Sequence, residues 1–354
     1  MMHSAPAILS VGRALPVHYA DQASLLAALR RLWVKQHHNP ARVDDLHRAV
    51  QVEGRHLALP ISAYEALDTF QKTNDAWIPA ALALGEEAAR DALARAGLSV
   101  TDVDHIFFVT VTGIAVPSLD ARLVNRLGLR SDVKRTPIFG LGCVAGAAGI
   151  ARASDYLRAF PDQVCLLVST ELCSLTLQRG DLSVANLIAS GLFGDGAAAV
   201  VLGGGARTAT GPRVTATRSV FYPNTERVMG WDIVDTGFKI VLSAGVPAIV
   251  YEHIGKDVDS FLAAQSLDRS KVKHFIVHTG GPKVLQAFAE ALALPREALQ
   301  RSWSSLEKVG NLSSASVLFV LRDLLDSGDA RPGDVGLLLA MGPGFCSELV
   351  LLKW

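Results

Sequence analysis

The chain has 354 residues, half of them hydrophobic, and its 34 basic and 34 acidic residues give a formal net charge of zero. This length predicts two packed halves, and the balanced charge argues against nucleic acid as a partner. The apolar runs are shorter than the ~18 residues that a membrane span needs. Because the N-terminus also lacks a basic segment followed by an apolar one, we expect a cytoplasmic protein.

Short apolar runs alternate with Ala- and Leu-rich helical patterns, which is typical of layered α/β proteins. A helix with one apolar face is expected at residues 77–96. The glycine-rich stretch at residues 203–212 predicts a boundary between an N-terminal half, residues 1–205, and a C-terminal half, residues 206–354. Buried strands are predicted at residues 105–112, 163–169, 197–202, 273–278 and 335–340.

Cys143 stands in a run of glycine and alanine, GLGCVAGAAG at residues 140–149, that continues into a predicted helix beginning at or just after the thiol. A helix N-terminus favours thiolate over thiol, so we expect an acidic, nucleophilic Cys143. The alternative is a buried cysteine that packs as a small hydrophobe. The four cysteines have no CxxC spacing, so neither a metal site nor a disulfide framework is predicted.

His278 ends a predicted strand and precedes a Gly-Gly-Pro turn, the position where α/β proteins place ligands. Asn311 lies in a Gly-Asn turn before an apolar helix. Alternatively, His278 is an ordinary surface or core histidine, and Asn311 is a helix cap. Together, Cys143, His278 and Asn311 form a set suited to acyl transfer, because a thiolate attacks a thioester while imidazole and amide N–H groups stabilise an oxyanion or enolate. The proximity of the imidazolium would lower the pKa of Cys143 further.

Five motifs now occur in an order that resembles the type III polyketide synthases, the chalcone and stilbene synthase-like group of the thiolase superfamily. The resemblance runs from about residue 75 to the C-terminus. The motifs are Gly142-Cys143, GLFGDGAAA at residues 191–199, His278 with GGP at residues 280–282, GNLSSA at residues 310–315, and GPG at residues 342–344. The resemblance implies an α/β thiolase fold, with an αβαβα layering of two related halves.

By this resemblance, Cys143 carries the acyl chain, and His278 and Asn311 serve loading and malonyl decarboxylation. Phe193 matches one aromatic gatekeeper, and Ile240 stands where the family usually has a second phenylalanine. Gly230 is the alternative to Trp231 if the alignment shifts by one residue. The implied cavity positions are Thr112, Cys173, Thr176, Trp231, Ser313 and Pro343, and Arg48, Gly281 and Lys283 are candidates for CoA contact.

The resemblance implies a homodimer, with a cis Val116-Pro117 peptide at the dimer contact. It also implies that the enzyme loads an acyl-CoA starter and extends it with malonyl-CoA, without a carrier protein, metal or redox cofactor. Cys173 and the missing second aromatic gatekeeper resemble bacterial synthases that accept long acyl starters. We therefore expect an alkyl-α-pyrone or alkylresorcinol product.

Two other functions fit parts of the sequence. An initiating ketoacyl-acyl carrier protein synthase uses the same Cys/His/Asn set, but it needs a basic patch for its acidic carrier, and none is evident near the expected entrance. An inactive thiolase-like binding protein is the alternative of another class. The presence of all three catalytic residue types argues against it.

Overall fold

A computed structural model describes residues 4–33, 40–207 and 211–354. Within these ranges the chain forms ten α-helices: α1 Gln22–Trp33, α2 Pro40–Ala49, α3 Phe70–Ala96, α4 Leu119–Leu127, α5 Ala145–Ala159, α6 Val184–Leu192, α7 Val246–Ala263, α8 Pro282–Leu292, α9 Gln300–Val309 and α10 Ser316–Ser327. The strands are β1 Ala7–Ala14, β2 His18–Asp21, β3 Gly54–Leu57, β4 His105–Thr110, β5 Lys134–Phe139, β6 Val164–Leu172, β7 Asp195–Gly203, β8 Arg213–Phe221, β9 Met229–Val234, β10 Gly237–Leu242, β11 Val272–Val277, β12 Val335–Gly342 and β13 Cys346–Lys353.

Nine strands form one mixed sheet in the order β11-β12-β13-β8-β1-β7-β6-β4-β5. Two sets of strands meet at β1 and β8, where Ala7 pairs with Arg213. From this junction outward, each set has two antiparallel pairings followed by a parallel one: β1-β7-β6-β4 on one side and β8-β13-β12-β11 on the other. The two sets therefore repeat one pattern, and β5 extends the first of them at the sheet edge.

The layers follow from alternation along the strands, because successive side chains point to opposite faces. Phe107 and Val109 of β4 join a central core around α5 and α10, while Ile106 and Phe108 pack with α3 and α4 on the other face. In the second set, β11 and β12 likewise share the central core and pack their opposite faces with α7 and α8. This is the αβαβα layering that the resemblance implied.

The structure confirms the five strands predicted from the sequence, as β4, β6, β7, β11 and β12. The helix predicted at residues 77–96 begins earlier, at Phe70, because Thr69 caps it by accepting a hydrogen bond from the Lys72 backbone. The Val116-Pro117 peptide is cis, as expected. The boundary near residue 205 stays a prediction. Among the described helices, none combines the length and apolar character required to cross a bilayer.

Candidate active site

Cys143 lies at the start of the helical segment that follows β5. A short 3₁₀ turn, Gly142–Val144, contains it and leads directly into α5, so the predicted helix start is confirmed. Gly142 has a φ of 54°, and a Cβ there would lie 2.8 Å from Pro343 Cδ. At Gly146, a Cβ would lie 2.2 Å from the carbonyl oxygen of Ser314. Glycine at these two positions lets the GPG turn and the segment after Asn311 approach Cys143 closely.

The charge state of Cys143 differs from the expected one. Burial raises the pKa of its thiol to about 12, and the hydrogen bonds from Ser313 and Asn311 only partly oppose this shift. Burial also lowers the pKa of His278 to about 3. The sequence prediction of an acidic thiol beside an imidazolium is therefore wrong for this structure, because burial outweighs the hydrogen bonds that would stabilise a thiolate. Both shifts favour the neutral form of the group at neutral pH.

Asn311 is buried, and its neighbours determine the orientation of its amide. The side-chain oxygen accepts hydrogen bonds from the Ser313 backbone N–H at 2.8 Å and from the Ser316 hydroxyl at 3.3 Å. Its backbone is also held, because the N–H donates to Leu192 and the carbonyl accepts from Gly194. With the oxygen engaged, the amide NH₂ is left as a donor toward Cys143, whose sulfur lies 3.8 Å from Ser313 Oγ.

His278 follows β11 directly, and its backbone N–H donates to the carbonyl of Leu339 in β12. The side chain is buried, and its Nδ1 atom has no hydrogen-bond partner in the described part of the chain. The turn after it packs Gly281 near Leu192, whose carbonyl accepts the Asn311 N–H. This contact joins the His278 turn to the Asn311 loop.

A small cavity of ≈ 30 Å³ lies at Cys143. It brings together seven residues that the sequence singled out: Cys143, Cys173, Phe193, Trp231, Ile240, Ser313 and Pro343. Gly230 lines it as well, so both residues considered for one cavity position are present. Gly142 of the Cys143 motif lines it too, and the walls that the sequence analysis missed are Val111, Met229, Val241 and Leu242.

A second cavity of ≈ 510 Å³ adjoins the first and has the size of an ordinary small-molecule site. Cys173, Phe193, Trp231 and Ile240 line both cavities, so they form the partition between them. Thr176 lines the larger one. Much of its far wall comes from α1 and from the segment between β3 and α3, for which the sequence analysis predicted no role.

Thr112 is buried, but it is absent from the described linings of both cavities. Its hydroxyl donates to Glu171 at 3.0 Å, and Trp77 Nε1 donates to it at 3.2 Å. Glu171 is completely buried and also accepts from the Val111 N–H and the Ser314 hydroxyl. Burial raises the pKa of this carboxyl. Sequence reasoning missed Glu171, although a charged residue near the end of an apolar strand is a signal that could have found it.

The three residues considered for CoA contact lie elsewhere. Arg48 is exposed in the last turn of α2 and forms an ion pair with Asp45. Gly281 precedes α8 with a φ of 129°, and Lys283 is exposed in the first turn of that helix. In the described ranges, none of the three lines either cavity, and CoA contact stays a prediction. The same ranges contain no cluster of three or more His, Cys, Asp or Glu residues placed to hold a metal ion.

Comparisons with known proteins identify the family of this chain. Residues 2–206 match the family "Chalcone and stilbene synthases, N-terminal domain", and residues 213–354 match the corresponding C-terminal domain. A 1,3,6,8-tetrahydroxynaphthalene synthase of Streptomyces peucetius subsp. caesius is 51% identical over 98% of this chain and 93% of its own. A phloroglucinol synthase of Pseudomonas fluorescens is 34% identical over 96% of each chain.

Among solved structures, the 1,3,6,8-tetrahydroxynaphthalene synthase of Streptomyces coelicolor A3(2), described as a bacterial type III polyketide synthase, superimposes with a TM-score of 0.93. It is 34% identical, and the match covers 98% of this chain and 99% of that one. The fold and these relatives define a condensing enzyme of the thiolase type. The chain belongs to the chalcone and stilbene synthase family and is a type III polyketide synthase, an acyltransferase that condenses CoA thioesters with decarboxylation.

Proposed function

We propose that Cys143 is the nucleophile of this synthase and that His278 and Asn311 are its donor pair. Burial favours the neutral form of both Cys143 and His278, so in the proposed loading step the thiol proton passes to His278 only as the sulfur attacks the acyl-CoA carbonyl. The departing CoA thiolate then takes this proton from His278. The observation that carries this proposal is the amide orientation of Asn311, which leaves an N–H donor beside the sulfur.

Extension uses the same donors. Malonyl-CoA loses CO₂, and the electron pair of the broken C–C bond forms an enolate whose oxygen accepts hydrogen bonds from His278 and Asn311. The enolate carbon attacks the thioester on Cys143, a C–C bond forms, and the C–S bond to the enzyme breaks, so that Cys143 leaves as a thiolate and takes up a proton from water. The cavity partition then separates the reacting sulfur from the larger space, with Phe193 and Ile240 as gatekeepers and Cys173 and Trp231 beside them.

The product class that we propose first is a polyhydroxylated naphthalene made from malonyl units. This proposal is supported by the relative that is 51% identical, a 1,3,6,8-tetrahydroxynaphthalene synthase. The second candidate is the alkyl-α-pyrone or alkylresorcinol expected from the sequence. It is favoured by the large number of aliphatic side chains that line the ≈ 510 Å³ cavity, among them Leu25, Leu29, Leu32, Leu57, Ile61, Leu67, Leu175 and Leu177.

One assay separates these two products. The purified protein is incubated with malonyl-CoA alone and then with malonyl-CoA plus short, aromatic or long acyl-CoAs, and the products are identified by mass. An aromatic product from malonyl-CoA alone supports the first proposal, whereas products that carry the long acyl chain support the second. The absence of any Cys143-dependent extension product would contradict the proposed chemistry.

We also propose that the enzyme is a cytoplasmic homodimer. Two features support the dimer: β5 is an edge strand of the sheet, and exposed apolar side chains lie at and near it. Val116 is 92% exposed, Phe139 52% and Ile114 42%. Val116 precedes the cis proline and is the residue expected to reach toward the partner.

A further inference from the structure

Three side chains form a hydrogen-bonded chain from the large cavity into the core. Tyr64 and Ser174 both line that cavity, and the Tyr64 hydroxyl lies 2.5 Å from Ser174 Oγ. Ser174 Oγ in turn donates to Oδ2 of Asp195, which is completely buried. The chain therefore begins at the cavity surface and ends at an ionisable group.

The partners of Asp195 determine which group donates in each of these hydrogen bonds. Asp195 also accepts from the backbone N–H groups of Ser174 at 2.8 Å and Ala58 at 2.6 Å. Because an ionised carboxylate can only accept, the Ser174 proton points toward Asp195, and the Tyr64 proton points toward Ser174. The Tyr64 oxygen also accepts a hydrogen bond from the Leu59 backbone N–H at 3.4 Å, so one further lone pair remains to take up a proton from the cavity that Tyr64 lines.

The acidities of these groups suit proton transfer. Burial raises the pKa of Asp195 to about 6, even though the hydrogen bonds from Ser174 and Ala58 and the charge of Arg55 oppose the shift. The carboxyl can therefore take up a proton near neutral pH. Burial also raises the pKa of Tyr64, which disfavours a free phenolate. Tyr64 can accept a proton only while it passes its own to Ser174.

The hydrogen-bonded side chains of Tyr64, Ser174 and Asp195 lie within reach of the growing product. Cys173 lines both cavities and immediately precedes Ser174. A poly-β-ketone attached to Cys143 that passes this partition enters the space in front of Tyr64. Its methylene groups, each between two carbonyls, are the acidic carbons that ring closure must deprotonate.

We propose that Tyr64 is the catalytic base for carbon–carbon ring closure in the large cavity, with Ser174 and Asp195 as the positioning residues that relay the proton. This inference rests on the proposed function. A methylene C–H bond breaks and its proton goes to the Tyr64 oxygen, while the Tyr64 proton moves to Ser174 and the Ser174 proton to Asp195. The resulting enolate attacks a ketone carbon of the same chain. The new alkoxide takes a proton from Tyr64 as the relay reverses, so no oxidant or reductant is needed.

The test compares Tyr64→Phe and Ser174→Ala with the wild type, using malonyl-CoA with and without acyl-CoA starters. The readout is the ratio of carbocyclic aromatic products to lactones. We expect each substitution to lower this ratio by about 10²-fold, the scale of a lost general base. The sum of all malonyl-derived products should change far less. The double variant should lower the ratio no further than either single one, because both remove the same relay.

Tyr251→Phe is the matched control. Tyr251 is exposed on α7, so this substitution removes a tyrosine hydroxyl that lies away from the described cavity walls. If Tyr64 only fills the wall, Tyr64→Phe leaves the ratio unchanged, and that result overturns the inference. A wild-type product mixture that contains lactones alone also overturns it. Failure of the proposed function is distinct, because the wild type would then consume no malonyl-CoA into extended products. Melting temperatures of the variants show whether a shift in the ratio reflects unfolding.

Discussion

Ser313 links the cysteine sulfur to the Asn311 amide, because its Oγ lies 3.8 Å from Cys143 Sγ while its backbone N–H donates to Asn311 Oδ1 at 2.8 Å. Rotation of the Asn311 amide by 180° would place NH₂ against the Ser313 N–H, which can only donate, with the loss of that hydrogen bond and of the one donated by the Ser316 hydroxyl, although this hydroxyl could then accept from the NH₂. Such bonds contribute roughly 0.5–1.5 kcal/mol each. The donor orientation therefore comes from the turn after Asn311, not from a ligand.

Substitution of Asn311 tests that donor directly. Asn311→Ala should lower malonyl-CoA decarboxylation by about 10²–10³-fold, the usual cost of one oxyanion donor. Asn311→Asp should be at least as damaging, because a carboxylate oxygen would face the enolate. The rate of CO₂ release is the measurement, with Asn125→Ala, an exposed asparagine of α4, as the control. Unchanged CO₂ release in Asn311→Ala would remove this residue from the mechanism.

Removal of the thiol should separate extension from decarboxylation. In Cys143→Ala we expect no chain extension, since no acyl-enzyme can form, but residual decarboxylation of malonyl-CoA, because His278 and Asn311 still hold the enolate. Mass analysis of the products and of the intact protein after acyl-CoA treatment provides the two readouts. Pyrone or aromatic products from this variant would show that the nucleophile is another group.

The pH dependence of alkylation tests the charge state of Cys143. Because burial raises its pKa to about 12, the thiol stays protonated at neutral pH, and the reactive thiolate fraction should increase as pH rises. Iodoacetamide modification of the Cys143 peptide, followed by mass spectrometry, should therefore accelerate continuously through the free-cysteine value of ~8.5 without a plateau. A rate that levels off below pH 7 would instead indicate a thiolate–imidazolium pair and restore the expectation from the sequence.

The proposed dimer surface can be disrupted by one charge. Val116→Glu should convert the protein to a monomer, because a carboxylate in a packed apolar contact carries an uncompensated desolvation cost. Val17→Glu is the matched control, since Val17 is a similarly exposed valine in the loop between β1 and β2. Light scattering after size-exclusion chromatography gives the molar mass. A wild-type monomer, or an intact Val116→Glu dimer, would show that this surface does not hold two copies together.

Local patterns predicted the elements of the fold well. Apolar runs identified the buried strands of both sets, and the small residues after Cys143 identified the start of α5, because these features depend on near neighbours in the sequence. The pKa of Cys143 could not be predicted in the same way. The direction of the pKa shift depends on how completely β12, the Asn311 loop and the cavity walls remove water from the sulfur. Those segments are far apart in the chain.

The hydrogen-bonded residues at the large cavity could not be predicted from the sequence either. Tyr64 precedes α3, Ser174 follows β6 and Asp195 begins β7, and no spacing connects them. Asp195 belongs to the GLFGDGAAA motif, which indicates the family but not the hydrogen-bond partners of this carboxylate. Those partners are brought together only by the folding of the three segments. Thr112 is the converse case. It was expected to line the cavity, but its hydroxyl is engaged by Glu171 and Trp77.

Cys173 gives the sharpest test of the second product candidate, because it lines both cavities and a larger side chain there should close the partition. Each methylene buried beyond it contributes ~0.8 kcal/mol, so Cys173→Phe should lower kcat/KM for long acyl-CoAs by about 10²-fold or more and spare short starters. Cys173→Ala, which leaves the passage open, should keep the wild-type preference.

A purely structural Cys173 would behave differently. Overpacking a closed core with Phe costs roughly 1–3 kcal/mol of stability and would lower the melting temperature without changing the ratio of kcat/KM values for long and short starters. An unchanged ratio in a folded Cys173→Phe variant would therefore exclude an acyl passage at this position, and with it the cavity argument for alkylpyrone or alkylresorcinol products. The malonyl-derived naphthalene would then remain as the product to test.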